Sequence, residues 1–431
     1  MNSRSYKYIR LLLLLAVVAI LANKYLFSAL RTEGSGQDLL KFDFVYTLPQ
    51  CNHRDRASTW CTYEDRFSKH NEYNILAKLL PNEDLIKATN IFVASFIYGS
   101  KEFTDLICEQ LKAGKEITLI ADLVNSNHPE LKRISENCGL PSDNRIKFLK
   151  LGQGGKWPNW INQHIKLFMY DNPSDGKMRI VFGSGNLSPM SFSILFNSWI
   201  ITEATLKSNF AKQHFCLAEA MKKTAQIQGT RRQKREGINV SNVFNREIET
   251  CRKSQNVLPF DLALSEEGIA PLFTRVAHED VRGKLTKIIN EVEPDQEISG
   301  AFQIFSDKSF AAALQNAVRR GVKVNLILDD MVLLEKFADE RRSQFYRDYL
   351  EKSGINFRFI ENNKDILQLM HLRFLLLGEK MLFTGSAQLT YAAFNKNYEN
   401  VYFINDKSLI EKHRALFDKL WEKAYEHPSS S

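Results

Sequence analysis

The chain has 431 residues, 44% hydrophobic and 25% charged, a balance that excludes a disordered or low-complexity polymer. That length exceeds what one ordinary core organises, so two domains or two fused halves are expected. Lys and Arg outnumber Asp and Glu by 58 to 50, a net charge of +8 that suits phosphodiesters, lipid headgroups or nucleic acid without choosing among them. A well-solvated surface explains the excess nearly as well.

At the N-terminus, Arg4, Lys7 and Arg10 precede an apolar run from Leu11 to Ala22, and Asn23-Lys24 interrupts before Tyr25-Leu26-Phe27. A basic segment followed by a short apolar one predicts export. Residues 1–30 read as an uncleaved signal anchor ahead of a cleaved signal peptide. The rest of the chain is then expected outside the cytoplasm, membrane-anchored, or secreted or periplasmic if the segment is removed. Six cysteines (Cys51, Cys61, Cys108, Cys138, Cys216 and Cys251) fit an oxidising compartment, and an even count predicts disulfides in the first part of the chain. Cys51, His53, Cys61 and His70 match no standard zinc spacing, so bridges or thiols are expected there rather than a metal.

Next comes an internal repeat. Asn90 to Tyr98 reads as a strand, Phe103, Leu106, Ile107 and Leu111 form a helical stripe, Gly114 stops it, and Ile117 to Asp122 is a second strand. Ile298 to Phe305, then Phe310, Ala313, Leu314, Ala317 and Val318, then Gly321 and Val322 to Asp329 repeat that order. Lys101 and Lys308, Phe103 and Phe310, Gly114 and Gly321, and Asp122 and Asp329 are all 207 apart in number, as are His164 and His371. Alternating strands and helices predict an α/β fold of two halves with largely parallel sheets. The expected division is 41–225 for the first half, 226–255 for a polar, basic linker or surface helix, and 256–425 for the second half. The basic run Arg231 to Arg235 reads first as solvated surface.

The chemistry sits late in each half. His164 and Lys166 share one face of a predicted strand that leads through Asp171 and a turn to Gly183-Ser184-Gly185-Asn186. His371 and Arg373 lead, through a shorter turn, to Gly385-Ser386-Ala387-Gln388. An imidazole, a cation, a hydroxyl and an amide converging on one spot suit a phosphate. Gly152-Gln-Gly-Gly-Lys156 lacks the strand-to-helix setting of a phosphate loop and reads as a surface loop. Trp157 and Trp160 either wall the pocket or pack.

The pattern H-x-K-x4-D followed by G-S-x-N, once complete at His164, Lys166 and Asp171 and once degenerate at His371 and Arg373, resembles the phospholipase D superfamily. The resemblance spans roughly position 70 to the C-terminus. It implies two tandem α/β/α halves packed about a pseudo-twofold axis, with both motifs at the interface. It further implies hydrolysis or transfer of a phosphodiester through a phosphohistidine, with no metal or other cofactor. The expected partners are a phosphodiester substrate, phospholipid first and nucleic acid second, and a membrane through residues 1–30. A monomer is expected, because one chain holds both half-sites. An inactive phosphate-binding module is the reading of a different class.

Roles follow from the chemistry. Lys166 and Arg373 supply cations to the phosphate oxygens, and Ser184, Asn186, Ser386 and Gln388 supply further contacts. Asp171 is expected to be structural. Asn197 and Glu399, each fourteen residues beyond the first glycine of its loop, are expected by resemblance to orient the histidine of their own half. On that expectation the amide leaves His164 uncharged as the nucleophile, and the carboxylate favours a protonated His371 as the acid.

Overall fold

The computed structural model describes residues 40–49, 65, 69–123, 125, 129–138, 146–153, 160–277, 279–333 and 340–426. The predicted anchor over 1–30, Cys51, His53, Cys61, Lys156 and Trp157 lie outside the described residues, as does the side chain of His70. Among the described residues no helix is long and apolar enough to cross a membrane.

Two sheets form. The first contains β1 (Leu40–Thr47), β2 (Asn90–Ser95), β3 (Glu116–Asp122), β4 (Ile146–Gln153), β5 (Ile161–Asn162), β6 (Leu167–Asn172), β7 (Lys177–Gly183) and β8 (Asn197–Thr205). The second contains β9 (Ile269–Phe273), β10 (Glu297–Phe302), β11 (Lys323–Asp329), β12 (Asn356–Ile360), β13 (Arg373–Leu377), β14 (Met381–Gly385) and β15 (Asn400–Ile404). Their strand orders are β1-β8-β7-β6-β2-β3-β4-β5 and β9-β15-β14-β13-β10-β11-β12, one topology used twice. The predicted repeat is therefore a repeat of fold.

The sheets are less parallel than the alternation predicts. Only β2-β3-β4 and β10-β11-β12 run parallel, while β6-β7-β8-β1 and β13-β14-β15-β9 are antiparallel. The cause is connection length. Helices α1 (Lys101–Lys112) and α4 (Lys308–Arg319) are long enough to cross back between parallel strands, whereas the turns at Pro173–Gly176 and Gly378–Lys380 close hairpins. Ser100 and Asp307 cap these two helices by accepting backbone N–H groups of the first turn, and Gly114 and Gly321 follow them at φ 87° and 92°.

Period-two alternation gives each sheet two apolar faces. In β13, Leu375 and Leu377 enter a core private to the second half, while Phe374 and Leu376 enter a core shared by both halves. The shared core also holds Phe210, Leu217 and Met221 of α2 (Asn209–Ile227), Phe244 and Ile248 of α3 (Val240–Ser254), and Leu409, Leu416 and Leu420 of α5 (Lys407–Lys423). The stretch expected as a polar linker thus contributes packing. Val243, Phe244 and Ile248 are buried, and the Cys216–Cys251 disulfide ties α3 to α2. A second disulfide, Cys108–Cys138, closes the outer face of the first half.

Candidate active site

The two motifs meet where the sheets face each other. Just before each histidine the chain pairs with the opposite half. The His164 amide donates to the Tyr398 carbonyl at 2.9 Å, and the His371 amide donates to the Phe196 carbonyl at 3.0 Å. Buried carboxylates fix each approach from behind: Asp122 accepts the Gln163 amide (2.9 Å) and Asp329 accepts the Met370 amide (2.7 Å). These two aspartates were visible in the sequence only as matched positions; their strand-end placement gives them this task.

The histidine partners are crossed, which corrects the same-half pairing expected from the sequence. His164 Nδ1 lies 2.8 Å and 3.0 Å from the two oxygens of Glu399, and His371 Nδ1 lies 2.8 Å from Asn197 Oδ1. The cause is the sheet geometry. Asn197 opens β8 and Glu399 immediately precedes β15, and these strand starts run beside the other half's motif.

The two serines do not point at a common phosphate site. Ser184 donates to Asn197 Oδ1 (3.0 Å) and accepts the Ser198 amide (3.0 Å). Ser386 donates to Glu399 Oε2 (2.5 Å) and accepts the Asn400 amide (3.0 Å). Each hydroxyl has spent its single proton on bracing the residue that holds a histidine. Gly183 and Gly385 permit that approach, because a Cβ at either would collide with the carbonyl of Ser198 or Asn400. Thr47 and Thr274 complete the brace by accepting the amides of Asn197 and Glu399.

Tautomers follow from these bonds. Asn197 Oδ1 takes the Ser184 proton while its Nδ2 donates to the Ser191 carbonyl, so His371 Nδ1 carries hydrogen. Its Nε2 then accepts from Arg373 Nη2 at 2.7 Å. His164 Nδ1 likewise donates to Glu399, and its Nε2 has no partner among the described residues. Burial lowers the His164 pKa to about 4, with Lys166 and Arg373 adding to the effect and Glu399 opposing it. Burial, then Arg373 and Lys166, hold His371 well below its usual value. Burial alone would raise the Glu399 carboxyl, but His164, Lys166 and Ser386 together keep it below its usual range. At neutral pH the resting site therefore holds two neutral imidazoles and one carboxylate.

Both cations are buried. Lys166 Nζ donates to the His164 carbonyl (3.0 Å), and burial followed by the Arg373 charge lowers its pKa well below normal. Arg373 donates to the Ser184 carbonyl (2.8 Å), and burial lowers its pKa only to about 10, so it stays charged. A pair of clustered, incompletely neutralised cations is a receptor for an anion. Asn186 and Gln388 flank it differently. Gln388 Oε1 accepts the Ile304 amide (3.2 Å), a reach that its extra carbon makes possible, whereas buried Asn186 Oδ1 has no partner among the described residues. Two further residues, Phe96 and Gln303, occupy matched positions after β2 and β10. Phe96 sets its ring edge-on to His164 at 4.9 Å, and Gln303 accepts from Gln388 at 3.4 Å. Their 207-residue separation was the signal that could have found them.

Asp171 stands away from this cluster. Its carboxylate accepts the backbone amides of Thr89 and Asn90 and their side chains, which locks β6 to the start of β2. At the matched joint Gly378 sits at φ 62° and donates its amide to Glu297, and the Gln296 side chain occupies the space a Cβ there would need. Trp160, four residues before His164, is exposed. Among the described residues no group of three or more His, Cys, Asp and Glu side chains is placed to hold a metal ion.

Comparison with known proteins gives the same picture. A family model described as cardiolipin synthase, phospholipase D-like domain, matches residues 285–421. The chain is 30% identical over 152 residues to a phospholipase D of Rickettsia typhi (strain ATCC VR-144 / Wilmington), which covers 35% of this chain and 66% of that protein. It is 32% identical over 120 residues to the mitochondrial cardiolipin hydrolase of Canis lupus familiaris, covering 28% of this chain and 42% of that one. The matches thus span less than two thirds of these curated relatives. Among solved structures, a phosphatidylserine synthase from Haemophilus influenzae Rd KW20 shares the fold, with a TM-score of 0.54, 12% identity, and coverage of 85% of this chain and 88% of that one. With two histidine–cation motifs facing each other across a repeated α/β fold, the chain is similar to the phospholipase D superfamily, whose domain model matches its residues 285–421.

Proposed function

We propose that the chain hydrolyses a phosphodiester, a phospholipid in the first place, by double displacement through a phosphohistidine on His164. The observation that carries this reading is the crossed pairing. Attack through Nε2 leaves the imidazole cationic, and the buried Glu399 carboxylate lies against Nδ1–H where that charge appears. His164 is therefore the nucleophile for the reverse of the reason the sequence suggested: a carboxylate, not an amide, faces it. His371, held by a neutral amide, gives up an added proton readily and serves as the acid.

The steps balance. The diester anion settles between Lys166, Arg373 and the amides, drawing Arg373 from His371 and offsetting the cations that depress that imidazole, so that His371 Nε2 takes up a proton from solvent. His164 Nε2 bonds to phosphorus while the leaving oxygen departs with a proton from His371. Neutral His371 then takes a proton from water, the water oxygen attacks phosphorus, and the phosphorus–nitrogen bond breaks. The names of the curated relatives favour a lipid diester over a nucleic acid, and an N-terminal anchor would hold the site beside a bilayer. Purified full-length protein offered phosphatidylcholine or cardiolipin in mixed micelles, and separately single-stranded DNA, tests the choice. Turnover of DNA alone would replace the lipid reading.

Two results are expected of any good diester substrate. Activity survives EDTA unchanged, because Lys166 and Arg373 already meet the phosphate charge; loss on chelation with recovery on adding a divalent ion would overturn the mechanism. The second concerns acid. His164 acts unprotonated and its pKa is lowered to about 4, so with an aryl diester whose leaving group needs no acid kcat/KM holds level from neutrality downward and is lost as pH falls through about 4. An acidic limb at the ordinary histidine value would mean that the attacking group is not this buried imidazole.

A further inference from the structure

We propose that Asn397 and Asn400 are positioning residues that clasp the His164 motif from the opposite half and make it the more tightly held of the two half-sites; the inference rests on the phosphodiesterase reading above. Asn397 Nδ2 donates to Glu399 Oε1 (3.2 Å), and its Oδ1 accepts the Asn162 amide (3.2 Å). Asn400 Oδ1 accepts the Lys166 amide (3.1 Å), and its Nδ2 donates to the Lys166 carbonyl (3.2 Å) and the Tyr402 hydroxyl (3.0 Å). Between them the Tyr398 amide donates to the Asn162 carbonyl at 2.9 Å, and the Tyr398 carbonyl accepts the His164 amide. One stretch, Asn397 to Asn400, thus grips residues Asn162 to Lys166 at both ends and in the middle.

The other half has the ladder without the clasp. Gly183 and Gly385, Phe196 and Tyr398, and Asn197 and Glu399 are each 202 apart in number, which sets Leu195 opposite Asn397 and Ser198 opposite Asn400. The backbone bonds persist there, with Phe196 donating to Leu369 (3.1 Å) and accepting from His371. Leu195, however, packs with Ile194 and Ile366 in a small apolar cluster. A carboxamide can take the N–H and the C=O of one residue together, with an acceptor and a donor at fixed spacing. Serine and leucine cannot.

The asymmetry falls where the chemistry needs it. A nucleophile must reach phosphorus within a narrow range of distance and angle while Lys166 holds the oxygens, so firm support at Asn162–Lys166 favours attack. His371 must release Arg373 to the substrate and pass a proton twice, and it gains nothing from the same grip.

Asn397→Leu and Asn400→Ser install the residues that the matched backbone of the first half already carries, so both variants keep a backbone known to this fold. The full-length variants are compared with wild type by NMR of 15N-labelled histidine, which follows His164 without substrate, and by steady-state hydrolysis of a soluble aryl phosphodiester. Asn397→Leu removes a donor from Glu399 and raises the proton affinity of the carboxylate–imidazole pair, so the His164 protonation midpoint rises by about one pH unit. Its kcat falls roughly tenfold with KM within about twofold. Asn400→Ser leaves the donors of Glu399 in place, so kcat falls roughly tenfold with no change of midpoint. An unchanged midpoint in Asn397→Leu, or an unchanged kcat in Asn400→Ser, overturns the clasp. A raised midpoint in Asn397→Leu in a protein whose wild type cleaves no diester supports the clasp and overturns the phosphodiesterase reading instead.

Discussion

His164→Ala is expected to abolish turnover and covalent intermediate together, a loss of at least about four orders of magnitude in kcat, because the attacking imidazole is gone and His371 lacks a carboxylate to balance a phosphoimidazolium. His371→Ala should behave differently. With a good leaving group, departure needs little protonation, so the first displacement continues. Water has lost its base, so the second displacement slows and phosphoenzyme accumulates on His164. Rapid quenching at neutral or alkaline pH followed by mass spectrometry reads both outcomes. An adduct on His371 in wild type, or accumulation in His164→Ala, would exchange the two roles.

Glu399→Gln is expected to lower kcat by about three to four orders of magnitude, comparable to replacing the buried carboxylate behind the histidine of a serine protease. The side chain keeps its length and an oxygen for Nδ1–H, but loses the charge that balances the phosphoimidazolium. The pH dependence gives the sign check. Glu399 raises the His164 pKa against the larger effect of burial, so its removal lowers that pKa further. The acidic limb of kcat/KM then moves below about 4, opposite to the shift expected for Asn397→Leu. A limb that rises in Glu399→Gln would show that the carboxylate does not act on this imidazole.

How far the sequence could be read follows from what sequence spacing encodes. A strand, a crossover helix and a second strand have fixed lengths, so their duplication preserved the 207-residue spacing, and both histidines could be located from it. The cations two residues beyond them were legible from the motif, although not for the strand period expected: β6 begins only at Leu167 and β13 at Arg373, so His164, Lys166 and His371 lie in the segments just ahead of the strands. The partners of the imidazoles were not legible, because nothing in the separation of Asn197 from His164 says which sheet lies beside the start of β8. Only the packing of one half on the other shows that. Ser184 and Ser386 looked like phosphate ligands because a hydroxyl after glycine is open to either use. The strands they follow turn each hydroxyl back toward Asn197 or Glu399. The antiparallel half of each sheet was hidden in turn lengths that the alternation of strands and helices does not weigh.

On the proposed mechanism, the crossed partners also set when during synthesis the site is completed. When the first half has emerged, with His164 and Lys166 just ahead of β6, the carboxylate that fixes the imidazole is still more than two hundred residues away along the chain. His371, made later, finds Asn197 waiting, but His164 stays unsupported until Glu399 has been added and β15 has docked. On the proposed mechanism, a nascent or truncated chain without Glu399 has no carboxylate against His164 Nδ1 and is expected to turn over no diester.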